Sequence, residues 1–144
     1  MLYVATALAG LGDPDLLQRI EVHRERRNPR WGLMELGGGG LEPVLRSAEG
    51  RGAVLLDSLT LWVSARMLGG EEVGTLEELG RFLVRADALS VPFIFVSDEV
   101  GLGVVPVGAQ ARRFRDLLGL VNQRAASVAA EVRLCTAGIE QRIK

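Results

Sequence analysis

The chain has 144 residues, 48% of them hydrophobic, and a formal net charge of −1, which fits one compact domain over residues 1–144 and leaves no global basic field for nucleic acid. A single cysteine, Cys135, excludes an intramolecular disulfide and argues against a zinc cluster, as suits a reducing cytoplasm. The start, Met1 to Ala7, lacks a basic leader region, and no apolar stretch approaches the length of a membrane span.

Leu2 to Ala7 reads as a short buried strand. Asp13-Pro14 supplies an N-cap and a first-turn proline for a helix reaching about Arg27. Trp31 to Leu36 predicts a second strand, closed by the glycine run 37–40, and Leu41 to Glu49 a weaker helix. Ala53 to Asp57 is an apolar run ending in an acid, followed directly by a helix over Ser58 to Leu68. Thr75, with Glu78 three residues on, has the form of a capping box for a helix reaching Leu89. Pro92 to Ser97 is the clearest strand, β-branched and aromatic, and it runs into Asp98-Glu99. After a Gly/Val/Pro loop, Gln110 to Ala130 predicts a long helix, and Val132 to Thr136 a last strand before a turn at Gly138. This alternation implies an α/β fold with a mostly parallel, doubly wound sheet.

Such sheets place ligands beyond the carboxyl ends of their strands. Three strand ends qualify. Thr6-Ala7 offers a hydroxyl and small side chains where a nucleotide can approach the backbone. Asp57-Ser58 resembles the acidic strand end that holds Mg²⁺, directly or through water, in phosphate-transfer enzymes, although an acid there also commonly caps the next helix. Asp98-Glu99 adds two carboxylates to the same rim.

The only histidine, His23, lies in the run Arg19 to Arg27, where several arginines surround one imidazole. Guanidinium groups match phosphate oxygens bidentately, and imidazole attacks phosphorus near neutral pH and is released again. The competing reading puts Leu16, Ile20 and His23 on one helical stripe, with His23 hydrogen-bonded at a core edge. All the basic residues but Lys144 are arginine, so no interior lysine serves as a catalytic amine or a phosphate-binding point charge. Gly101-Leu102-Gly103 lacks the third glycine of a dinucleotide fingerprint. In Arg112-Arg113-Phe114-Arg115-Asp116 the charges form either a solvated helix face or a contact with a neighbouring subunit, and Arg113 and Asp116 have the spacing of an i,i+3 pair.

Six motifs in order carry a resemblance: Tyr3-Val4-Ala5-Thr6; Arg19-Ile20-x-x-His23-Arg24-x-x-Arg27; Trp31-x-x-x-Glu35; Leu55-Leu56-Asp57; Val96-Ser97-Asp98-Glu99-Val100-Gly101-x-Gly103-Val104-Val105-Pro106; and Arg113-Phe114-Arg115-Asp116-x-x-Gly119-x-x-Asn122-Gln123. Together they resemble the bifunctional adenosylcobinamide kinase/adenosylcobinamide-phosphate guanylyltransferase family of cobalamin synthesis. The resemblance implies a P-loop NTPase-like (RecA-like) domain. It implies phosphorylation of adenosylcobinamide by a nucleoside triphosphate, then transfer of GMP from GTP to a histidine and on to adenosylcobinamide phosphate. By that resemblance His23 is the covalent nucleophile; Ala5, Thr6, Ala7, Arg24, Arg27, Glu35 and Asp57 surround the nucleotide; and Asp57, Asp98 and Glu99 are candidate Mg²⁺ ligands. Arg113, Arg115, Asp116 and Asn122 match further motif positions, and the family's trimer, with sites completed by neighbouring subunits, is the expected assembly. The family's Gly-x-x-x-x-Gly-Lys-Ser loop and the strand before it have no counterpart within this sequence, and Asp98 stands where the family has asparagine. The expectation is therefore guanylyl transfer with GTP (or ATP) and Mg²⁺ and little kinase turnover, with a non-catalytic nucleotide- or corrinoid-binding protein as the alternative.

Overall fold

The computed structural model describes residues 1–8 and 14–144. Its elements follow the expected alternation: β1 (Leu2–Ala5), α1 (Pro14–Arg26), β2 (Gly32–Glu35), α2 (Glu42–Ala48), β3 (Val54–Asp57), α3 (Leu59–Leu68), α4 (Thr75–Asp87), β4 (Phe93–Val96), α5 (Ala109–Val128), β5 (Arg133–Thr136) and β6 (Ile139–Arg142). Four strands form a parallel sheet in the order β2-β1-β3-β4. The expected Asp13 cap lies outside the described residues.

Side chains alternate across a strand, so the register sorts the sheet into two faces. Leu2, Val4, Val54 and Leu56 point to one face and join the core with Val44, Leu45, Trp62, Leu79, Phe82 and Leu118 of α2 to α5. The opposite face carries a first row Leu33-Tyr3-Leu55-Ile94 and, at the carboxyl ends, a second row Glu35-Ala5-Asp57-Val96. Helix α1 is tied to this second face at its C-terminal end, where Arg24 meets Glu35 and Arg27, just past the helix, covers the Tyr3 ring. Helices on both faces make the sheet doubly wound. Among the described residues, though, the α1 face is thinly covered over the outer strands, with Leu33, Ile94 and Val96 40–48% exposed.

Two local expectations change. Thr75 and Glu78 do not form a capping box. The N-cap is Gly74 at φ 91°, Thr75 is buried with its hydroxyl donating to the Glu71 carbonyl, and Glu78 accepts from the Leu41 amide at 2.7 Å while pairing with Arg66. Burial makes the long-range partners the better use of that carboxylate. The last strand, β5, does not extend the parallel sheet. It forms an antiparallel hairpin with β6 through Ala137 and Gly138, both at positive φ, as a tight two-residue turn requires. The glycine run after β2 packs inward: a Cβ on Gly38 would lie 3.1 Å from that of Ala65, and the Trp62 indole N–H donates to the Gly39 carbonyl at 3.1 Å.

Candidate functional site

The alternation that buries Leu56 turns Asp57 to the α1 face, level with Ala5 and Glu35. Ser58, not Asp57, caps α3: its hydroxyl accepts from the Leu61 amide at 3.2 Å, which removes the capping role weighed for Asp57. Asp57 Oδ2 instead accepts a 2.6 Å hydrogen bond from the Tyr3 hydroxyl, one pleat back on the neighbouring strand. Burial, then the hydrogen bond and the charge of Asp57, push the Tyr3 phenol up to about 12, so it remains a donor at neutral pH. Above the same ring, 4.2 Å from its centroid, lies the Arg27 guanidinium carbon, and Trp31 stacks beside it at 6.5 Å. Sequence reading singled out Arg27 and Asp57 but missed the tyrosine that joins them.

Thr6 does not face this site. Fully buried, its Oγ1 both accepts from the Ser58 amide and donates to the Ser58 carbonyl, each at 2.7 Å. It locks the ends of β1 and β3 together and so fixes where Asp57 stands. Ala5 faces the α1 side, and Ala7 is half-buried beyond the strand.

His23 is exposed on α1, so it is not a core-edge histidine. It lines an open depression of about 390 Å³ with Asp15, Gln18, Arg19 and Val22. Spacing of four puts Arg19 and His23 on one helical stripe, while Arg27, just past the end of α1, turns onto the Tyr3 ring. Because α1 runs back against the strands, Arg27 sits at the level of Tyr3 and Arg24 at that of Glu35, which carries His23 toward the carboxyl-end rim. Arg24 is held by Glu35 at 2.7 Å and Glu21 at 3.6 Å, but these groups are exposed and solvent screens such pairs, so an anion displaces them readily. Arg27 pairs with no carboxylate among the described residues, and its Nε is buried without a hydrogen bond.

The third strand end is tied to the second. The Asp98 amide donates to Thr60 Oγ1 on α3 at 2.8 Å, and Asn122 of α5 holds the same turn through the Asp98 carbonyl and Ser97. Beyond it, Glu99 accepts from the Gly101 amide at 2.8 Å and Arg115 donates to the Gly101 carbonyl at 2.8 Å. Glu99, Arg112, Arg115, Asp116 and Gln123 line a second open cleft of about 590 Å³ against α5. Arg113 lies outside that lining, 4.0 Å from Glu72 rather than paired with Asp116.

Asp57, Asp98 and Glu99 are not gathered into one cage; among the described residues no group of three or more His, Cys, Asp or Glu side chains is placed to hold a metal. The donor set fits a hard cation only in the manner of Mg²⁺ carried on nucleotide phosphates, with Asp57 as its single protein carboxylate. No helix of the described residues is long and apolar enough to cross a membrane.

Comparison with known proteins agrees with the six motifs. The family model for cobinamide kinase/cobinamide phosphate guanyltransferase matches residues 1–143. The chain is 37% identical to the bifunctional adenosylcobalamin biosynthesis protein CobP of Pseudomonas aeruginosa, over 99% of this chain and 81% of that one. It is 31% identical to the bifunctional adenosylcobalamin biosynthesis protein CobU of Salmonella typhimurium, and equally to that of Escherichia coli, over 100% of this chain and 86% of each relative.

Proposed function

The chain belongs to the cobinamide kinase/cobinamide phosphate guanyltransferase family, and we propose that it acts in cobalamin synthesis by moving GMP from GTP through His23 to adenosylcobinamide phosphate. The observation that carries this reading is the exposed imidazole on α1, four residues after Arg19 and next to Arg24, whose partner Glu35 ends the same strand row as Asp57. In the first displacement an imidazole nitrogen bonds to the α-phosphorus of GTP and the bond to the β-phosphate oxygen breaks, releasing pyrophosphate. In the second, a phosphate oxygen of adenosylcobinamide phosphate bonds to that phosphorus, the P–N bond breaks, and adenosylcobinamide-GDP leaves with the imidazole restored. Splitting the transfer spares two bulky anions from meeting directly. Arg24 and Arg27 neutralise charge gathering on the phosphates, and Arg27 does so without first giving up a carboxylate. Mg²⁺, held on the nucleotide and by Asp57, would supply further charge neutralisation.

Incubation with GTP labelled at the α-phosphate, with Mg²⁺, tests the reading: an acid-labile, base-stable adduct on the chain supports it. No adduct would leave a nucleotide- or corrinoid-binding protein without turnover.

Self-association is also expected. Parallel sheets are normally covered on both faces, and here Leu33, Ile94 and Val96 leave apolar area open on the α1 face. Light scattering should give a mass above the monomer, a trimer by the family's pattern, and a clean monomer at micromolar concentration would remove the shared-site idea.

A further inference from the structure

Arg27 and Asp57 carry opposite charges and touch the same aromatic ring, yet they form no ion pair. Tyr3 contacts both. Its hydroxyl donates to Asp57 Oδ2 at 2.6 Å, while its face carries the guanidinium at 4.2 Å. We propose that Tyr3 is a positioning residue whose ring keeps Arg27 from collapsing onto Asp57, so that an arginine and a carboxylate stay separately available at the strand ends, one for a phosphate anion and one for its counter-cation.

The alternative to this arrangement is a direct Arg27–Asp57 bridge, which a long flexible arginine makes readily with a half-buried acid. Such a bridge would cancel both charges where a triphosphate needs them. The tyrosine prevents it in two ways. Its hydroxyl occupies the Asp57 oxygen nearest the ring, and its π face gives the guanidinium a favourable resting place that offers no charge to neutralise it. Arg27 Nε is buried without a hydrogen bond, and the partner recorded for its guanidinium is Tyr3 rather than a carboxylate. Trp31, stacked against the outer side of Tyr3, limits how far the ring can swing.

The proposal rests on the phosphate-transfer reading for its purpose but not for its geometry, so its test has two arms. In the ligand-free full chain, the Arg27 Nε–H resonance, identified by its loss in Arg27→Lys, should show an upfield ring-current shift. Asp57→Asn should leave that shift in place, since Arg27 is not paired with Asp57. Tyr3→Leu should abolish it and slow exchange of the Arg27 guanidinium protons as the bridge to Asp57 forms, and Tyr3→Leu with Asp57→Asn should restore fast exchange. In the second arm, calorimetry follows inorganic pyrophosphate without added metal. Tyr3→Leu should bind about tenfold more weakly, as expected for losing one charge-assisted contact. Tyr3→Phe, which keeps the ring, should lose only about twofold by the same measure. The double variant should recover the affinity of Asp57→Asn alone, a rescue that a merely structural role for Tyr3 would not give. An Arg27 signal that moves in Asp57→Asn, or a Tyr3→Leu loss that Asp57→Asn fails to rescue, overturns the proposal. If the parent chain and Asp57→Asn both fail to bind pyrophosphate, the phosphate-transfer reading falls, and the ligand-free resonance still decides the role of Tyr3.

Discussion

His23→Ala abolishes the adduct that labelled GTP leaves on the parent chain, with the fold intact. The first half follows from the inventory of nucleophiles. His23 is the only histidine, and Lys144 is occupied at the end of α5. Cys135 is exposed on the β5-β6 hairpin, outside the parallel sheet that carries the rim. Tyr3 is buried, donates to Asp57 and has its phenol pushed up to about 12, which makes it a poor nucleophile at neutral pH. The second half follows from exposure, since truncating a solvent-facing side chain typically changes stability by only about 0.5 kcal/mol. Arg27→Ala should weaken labelling by roughly tenfold or more, because a contact to a charged group worth about 1.5–3 kcal/mol is lost. Arg24→Ala should cost less, since Glu35 and Glu21 already compete for that guanidinium. Undiminished labelling in His23→Ala would sink the covalent mechanism, whatever the family membership.

The parts of this site visible from sequence are those set by local periodicity. A short apolar run ending in an acid placed Asp57 at a strand end, and the arginine spacing around His23 held because α1 is regular over that stretch. The parts that were not visible depend on partners far along the chain. Tyr3 reads as one more apolar residue in a buried strand, and only the β1-β3 register brings its hydroxyl to Asp57, 54 positions along the chain. Thr6 looked like a ligand because it ends a strand, yet its hydroxyl is used up on Ser58, 52 residues away. Glu78 matched a capping box at short range and lost that role to the Leu41 amide, 37 residues distant, and to Arg66. Strand β6 escaped notice because all its residues are exposed, so no buried face imposes an alternation.

Trp62→Ala should destabilise the chain by about 3–5 kcal/mol, the usual range for deleting a large buried aromatic. Trp62 is fully buried on α3, the helix that Ser58 starts directly after Asp57, and its indole N–H ties the carbonyl of Gly39 from the loop that closes β2. The alanine variant therefore leaves a cavity in the core and loses the tether between the Glu35 and Asp57 strand ends. Against a total stability of roughly 5–15 kcal/mol, the loss is a large fraction, and the thermal midpoint should fall by about 10–20 °C. Trp62→Phe separates the two contributions, since it keeps most of the apolar volume and gives up the indole donor. It should cost about 0.5–1.5 kcal/mol for the hydrogen bond plus a smaller packing term. Calorimetric or dichroic melting of both variants checks the order. An alanine variant that melts within a few degrees of the parent would mean that the helix layer can close over the gap, and that α3 does not hold the rim through this residue.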